Sequence, residues 1–127
     1  MRVSDRMTPN PTSIRPDDTL AAAKALMNAE GFRHLPVVGD SGLVGILTPE
    51  DVYRHGARLS HTRVDAAMKP NPIIVRPETS VEDAARILLS HKIRGLPVVE
   101  KDQLVGMITT TDLLKALLDM GRRRRLP

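Results

Sequence analysis

Apolar residues along this chain follow two periods, and the order of the periods occurs twice. Leu20, Ala23, Leu26 and Met27 recur at the three-and-four spacing of one helix face, which predicts a helix over 19–29. Val81, Ala84, Leu88 and Leu89 predict another over 80–91, where Ser80-x-x-Asp83 resembles a capping box. Before each helix a short extended segment, 12–14 or 73–75, stops at a proline. After each come two short apolar runs: 35–38 and 43–47, joined by Gly39-Asp40-Ser41-Gly42, and their counterparts 96–99 and 104–108. A further helix then begins at Thr48 or Thr109, with Pro49 at a first helical position where its missing N–H costs nothing.

The two halves are copies. Displaced by 61 places, Met7-Thr8-Pro9-Asn10-Pro11 meets Met68-Lys69-Pro70-Asn71-Pro72, Leu35-Pro36-Val37-Val38 meets Leu96-Pro97-Val98-Val99, and Asp51 meets Asp112. The expected organisation is one repeat over 1–57, a linker over 58–63, a second repeat over 64–120, and an arginine-rich tail over 121–127. The expected fold class is α/β (α+β), each repeat running β-α-β-β-α. One such unit buries little surface alone. The expectation is therefore that the two pack sheet to sheet about a pseudo-twofold axis, with the Val-Val pairs in the seam.

Composition narrows the chemistry. Phe32 and Tyr53 are the only aromatics, so the core must be aliphatic. There is no cysteine, which excludes disulfides, thiolate metal sites and cysteine nucleophiles. The pI near 10 invites a nucleic-acid reading. Four of the 19 basic residues are Arg122 to Arg125, however, and setting them aside leaves as many cations as the 15 anions. A neutral body without aromatics offers no stripe for phosphates and bases. The polar first residues lack a signal peptide's apolar stretch, no run approaches a membrane span, and a cytoplasmic setting is expected.

The richest constellation is Gly45-Ile46-Leu47-Thr48-Pro49-Glu50-Asp51 with its partner Gly106-Met107-Ile108-Thr109-Thr110-Thr111-Asp112. Each puts a threonine hydroxyl at a helix start and a carboxylate one turn on. Free N–H groups there favour an anion, and a carboxylate can accept both hydroxyls of a ribose diol. The same pattern also serves as a plain capping box. His34, His55, His61 and His91 form no pair at metal-ligand spacing, and neither a Ser-His-Asp arrangement nor a glycine-rich phosphate loop is present. No enzyme activity, metal or cofactor is expected.

Hydrophobic-x-x-Gly-hydrophobic-x-Thr-x-x-Asp, after an Arg-x-Leu-Pro-Val-Val strand, resembles the signature of the cystathionine β-synthase (CBS) domain, in both copies and over nearly all of residues 3–118. The resemblance implies a stand-alone tandem CBS pair with two clefts for adenosine-containing ligands such as AMP, ADP, ATP or S-adenosylmethionine. It implies one site in which Thr109, Thr111, Asp112 and Arg94 hold phosphate and ribose, walled by Met7, Thr12 and Phe32. In the other, Thr48 and Asp51 act with Arg33 and His34, walled by Met68, Ile73 and Ile93. Arginines are as readily solvated cations, and Phe32 and Ile93 read as core packing ahead of ligand contact.

The expected function is a non-catalytic module that senses such a ligand and regulates an effector protein. Two alternatives stand beside it: a ligand-free dimerisation or partner-docking module, and nucleic-acid contact through the arginine tail. Leu113, Leu114, Leu117 and Leu118 give the last helix more apolar surface than one seam requires, and a homodimer is expected. The Asp112 site is expected to take polyanions first, because Glu50 stands where the other copy has Thr111.

Overall fold

The computed structural model describes residues 1–125, with side chains as far as Arg122. The side chains of Arg123 to Arg125, and so most of the arginine tail, lie outside the described residues. Two compact units emerge, and their limits do not follow the repeats. One comprises Pro11–Pro72 with Asp102–Leu104, and the other Met1–Asn10, Ile73–Lys101 and Val105–Pro127. They are called here the Asp51 unit and the Asp112 unit.

In the Asp51 unit, α1 (Leu20–Glu30) starts where Thr19 Oγ1 accepts from the Ala22 N–H at 3.1 Å. It ends at Gly31, whose φ of 74° is the left-handed conformation that closes a helix and suits glycine. Strands β2 (Leu35–Gly39) and β3 (Gly42–Leu47) pair antiparallel, Leu35 opposite Leu47, with a bulge between Val37 and Val38. After β3 come α2 (Pro49–Tyr53), a 3-10 segment (Gly56–His61) and α3 (Val64–Ala67). Strand β4 (Lys69–Pro70) then completes the sheet β2-β3-β4. Leu20, Leu35, Val37, Leu47 and Val64 are fully buried in one cluster. At about 1.5–3 kcal/mol for each such side chain, this cluster is the main source of the unit's stability. Residues 58–63, expected as a bare linker, are partly 3-10 and tied down: Leu20 N–H donates to Thr62 O at 2.9 Å, and Thr19 bridges Arg63.

The Asp112 unit repeats the plan. Its helix α4 (Val81–His91) is capped by Ser80 Oγ, which accepts from Asp83 N–H at 3.0 Å. Strands β5 (Gly95–Glu100) and β6 (Gln103–Thr109) form a hairpin turning through Lys101 and Asp102, both with positive φ, as a tight two-residue turn requires. The third strand is β1 (Thr8–Pro9), paired with Met107 and Gly106, which gives the order β1-β6-β5. A 3-10 turn (Val3–Asp5) anchors it, with Val3 N–H on Thr79 O at 2.7 Å and the Val3 side chain fully buried. Val37 and Val98 lie fully buried in the core clusters of their own units.

Three expectations are revised. The extended segments 12–14 and 73–75 form no strand. Only Ile14 and Val75 bridge, in parallel, to Val37 and Val98, because the prolines that follow remove the next donors. The small strands lie instead in the Met-x-Pro segments, at Thr8–Pro9 and Lys69–Pro70. The last helix runs past the expected end of the second repeat at Met120 into the tail: α5 spans Thr110–Arg125. Arginine is a good helix former and its charge suits the negative end of the helix dipole.

Each third strand lies against a glycine. A Cβ added to Gly106 would collide with Met7 Sδ and come within 3.1 Å of Thr8 O; one on Gly45 would collide with Met68 Sδ and come within 3.0 Å of Lys69 O. The methionine can swing away, but the backbone carbonyl belongs to the strand pairing. Gly106→Ala and Gly45→Ala are therefore each expected to cost about 1–3 kcal/mol in urea denaturation, as overpacking does. Gly121→Ala, with nothing within 4 Å, should instead stabilise α5 by roughly 0.5–1 kcal/mol.

Candidate functional site

In the Asp51 unit, the turn from β3 into α2 packs three polar groups around one carboxylate. Asp51 Oδ2 accepts from the Thr48 N–H at 2.8 Å and from Thr48 Oγ1 at 2.9 Å. Its other oxygen, Oδ1, accepts from Lys69 Nζ at 2.7 Å, and Arg54 stands 4.0 Å away. Asp51 is 2% exposed, the one charged side chain in the core among the described residues. Burial by itself pushes the carboxyl up. The hydrogen bonds from Lys69 and from the Thr48 N–H and hydroxyl, with the charge of Lys69, outweigh burial and hold it below the usual carboxylate range. Glu50 points outward, 64% exposed and 3.7 Å from Arg33.

The Asp112 unit has the same turn from β6 into α5 with one part missing. Asp112 Oδ2 accepts from the Thr109 N–H at 2.9 Å and from Thr109 Oγ1 at 3.1 Å. Oδ1 has no protein partner among the described residues. No buried side-chain oxygen there lacks a partner, so Oδ1 of the half-buried Asp112 faces solvent. Thr110 turns back onto Arg94, its N–H and hydroxyl donating to Arg94 O at 3.0 and 3.3 Å. Thr111 and the Arg94 side chain are exposed.

The remaining residues named from the sequence divide by unit. Met7 and Ile93 are half-buried against the core of the Asp112 unit, and Ile73, 37% exposed, lies in the same unit. Met68 and Phe32 are half-buried against the core of the Asp51 unit, where Thr12 and Arg33 are exposed and His34 is half-buried. Phe32 also lines a groove of about 840 Å³ with Met27, Val52, Leu59, Lys24 and Arg33. Neither Asp51 nor Lys69 borders that groove. The sequence reading passed over Lys69. Its signal lay in the alignment of the copies, where Lys69 meets Thr8, so that only one repeat carries a cation at this place.

The two turns recur at the same place in both halves, and a CBS domain family model matches residues 3–58 and 64–119. The chain belongs to the CBS domain family. Two solved CBS pairs are alike over their full length. CBSX2 of Arabidopsis thaliana, crystallised with AMP, is 32% identical with a TM-score of 0.84, covering 94% of this chain and 98% of that one. The CBS domain pair of MJ0100, in complex with 5'-methylthioadenosine and S-adenosyl-L-methionine, is 25% identical with a TM-score of 0.84, covering 92% of this chain and 99% of that one. Inosine-5'-monophosphate dehydrogenase of Korarchaeum cryptofilum is 38% identical over 104 residues, 80% of this chain. The chain spans only 21% of the length of that dehydrogenase. No helix among the described residues is long and apolar enough to cross a membrane.

Because the carboxyl of Asp51 sits below its ordinary value in the folded protein, its contribution to stability is present above that ordinary value. It is lost as pH falls through the folded value. Asp51→Asn should cost about 1.5–3 kcal/mol at pH 7, the loss of hydrogen bonds to a charged group. The gap between variant and native protein should close below about pH 4, where the unfolded carboxyl takes up its proton. Urea denaturation at stepped pH measures both.

Proposed function

We propose that this CBS pair is a non-catalytic regulatory module that binds an adenosine-containing ligand, with Asp112 as the group that takes the ribose. The supporting observation is the carboxylate of Asp112: one oxygen is locked by Thr109, which fixes its orientation, and the other faces solvent with no protein partner among the described residues. A ribose diol brings two donors to an oriented acceptor of this kind. The exposed Thr111 and Arg94 lie in the same unit and suit the phosphate. AMP bound to CBSX2, and S-adenosylmethionine bound to the MJ0100 pair, supply the ligand class. Binding that favours one of two arrangements would pass the signal to an effector protein.

A homodimer belongs to the same reading. Leu114, Leu117 and Leu118 are 56%, 63% and 64% exposed along α5, and Leu89 on α4 is 79% exposed. Leu114, Leu117 and Leu118, at three-and-four spacing, share one face of α5, an apolar stripe that water disfavours and a second copy would cover. A chain without cysteine suits a cytoplasmic setting.

Titration calorimetry tests the ligand. AMP should bind at least tenfold more tightly than its 2'-deoxy form, since the lost hydrogen bond to a charged acceptor is worth about 1.5–3 kcal/mol. Asp112→Ala should abolish that preference while leaving the far-UV spectrum unchanged. Equal affinity for the two forms in the native protein would refute the ribose assignment. Light scattering tests the dimer: native protein should run at twice the chain mass at micromolar concentration, and Leu117→Glu with Leu118→Glu should return it to the monomer.

A further inference from the structure

We propose that Lys69 closes the Asp51 carboxylate to ribose, so that each chain binds one adenosine ligand, at Asp112. The proposal rests on the ribose reading above and names what makes the two repeats unequal. In both, the carboxylate's Oδ2 is spent on the threonine at the helix start, and only Oδ1 can serve a ligand. At Asp51 that oxygen already accepts from the Lys69 ammonium at 2.7 Å, which also lies 3.4 Å from Thr48 Oγ1. At Asp112 it is open.

Lys69 is held in place by its backbone. It is the first residue of β4, opposite Ile46, and this register sets its side chain beside the turn into α2. The repeat partner of Lys69 is Thr8, opposite Met107 in β1, which is too short to reach Asp112 and has no charge to offer.

Displacing the lysine would be costly. Asp51 is 2% exposed, and a buried carboxylate needs a compensating charge. A neutral diol replaces the hydrogen bonds of the ammonium but not its charge. Arg54, 4.0 Å away with its side chain 74% exposed, and Arg33, paired with Glu50, are poor substitutes. Asp112 is half-buried with Oδ1 in solvent, so it can exchange water for a diol with no charge left stranded.

The test is AMP titration of four proteins: native, Asp112→Ala, Lys69→Thr with Asp112→Ala, and that pair with Asp51→Ala. Threonine is what the other repeat carries at this place, and Lys69 is exposed, so the fold tolerates it. Native protein should bind one AMP per chain, and Asp112→Ala should weaken AMP at least tenfold. Lys69→Thr should then restore one event per chain, and Asp51→Ala should remove it again. An Asp112→Ala protein that keeps a native-strength event lost with Asp51 would overturn the proposal, as would no restoration by Lys69→Thr. If native protein binds no AMP, the ribose reading itself fails and this proposal with it. Carboxyl carbon NMR separates the two failures, because Lys69→Thr should raise the midpoint of Asp51 whether or not ligand binds. An unmoved midpoint would show that Lys69 is not seated on Asp51.

Discussion

A hairpin of five to seven residues a side does not hold itself together in water, and the whole structure depends on how each hairpin acquires a third strand. That strand is only two residues long and comes from the opening segment of the other repeat, Thr8–Pro9 for β6 and Lys69–Pro70 for β3. Two residues of pairing are weak alone. They are held by a fully buried valine upstream, Val3 or Val64, and by a methionine whose sulfur lies on the bare Cα of Gly106 or Gly45. Strand, valine, methionine and glycine act as one device, used twice.

The device also governs the chemistry at the helix starts. A capping box uses one carboxylate oxygen and leaves the other to the surroundings. What those surroundings are is decided by the residue after the methionine, because the strand carrying it runs beside the residues leading into the turn. Threonine there leaves an open acceptor, and lysine makes an internal ion pair. Two nearly identical motifs thus acquire different chemistry from a substitution that lies outside both of them.

The helices and hairpins were legible because their apolar periods are regular and their ends carry strong caps, Thr19, Ser80 and Gly31. The duplication was legible because Pro, Gly and Val recur at a fixed offset. The two-residue strands were hidden, since prolines and asparagines read as loop and their pairing is with distant residues. Asn10 and Asn71, at φ of 48° and 50°, end these strands in a conformation that sequence patterns do not register. The contacts of Thr48 with Asp51 and of Thr109 with Asp112 were legible from their spacing, which is that of a capping box. Lys69 was not, because its partner is 18 residues away and the link exists only once β4 has paired with β3. The pairing of Glu50 with Arg33 was hidden for the same reason, since it joins residues 17 positions apart.

The division of the chain also sets an order of assembly during synthesis. Nearly all of the Asp51 unit lies in one stretch, Pro11–Pro72, so its hairpin, helices and third strand leave the ribosome together and can collapse at once. Met1–Asn10 emerges ahead of that stretch yet belongs with Ile73–Lys101 and the segment from Val105, which follow it. For most of translation Val3 has no core to enter, and the strand after it has no neighbour. Val3 and the strand after it therefore find their place only after the Asp51 unit has been made, when β6 arrives to pair with Thr8–Pro9.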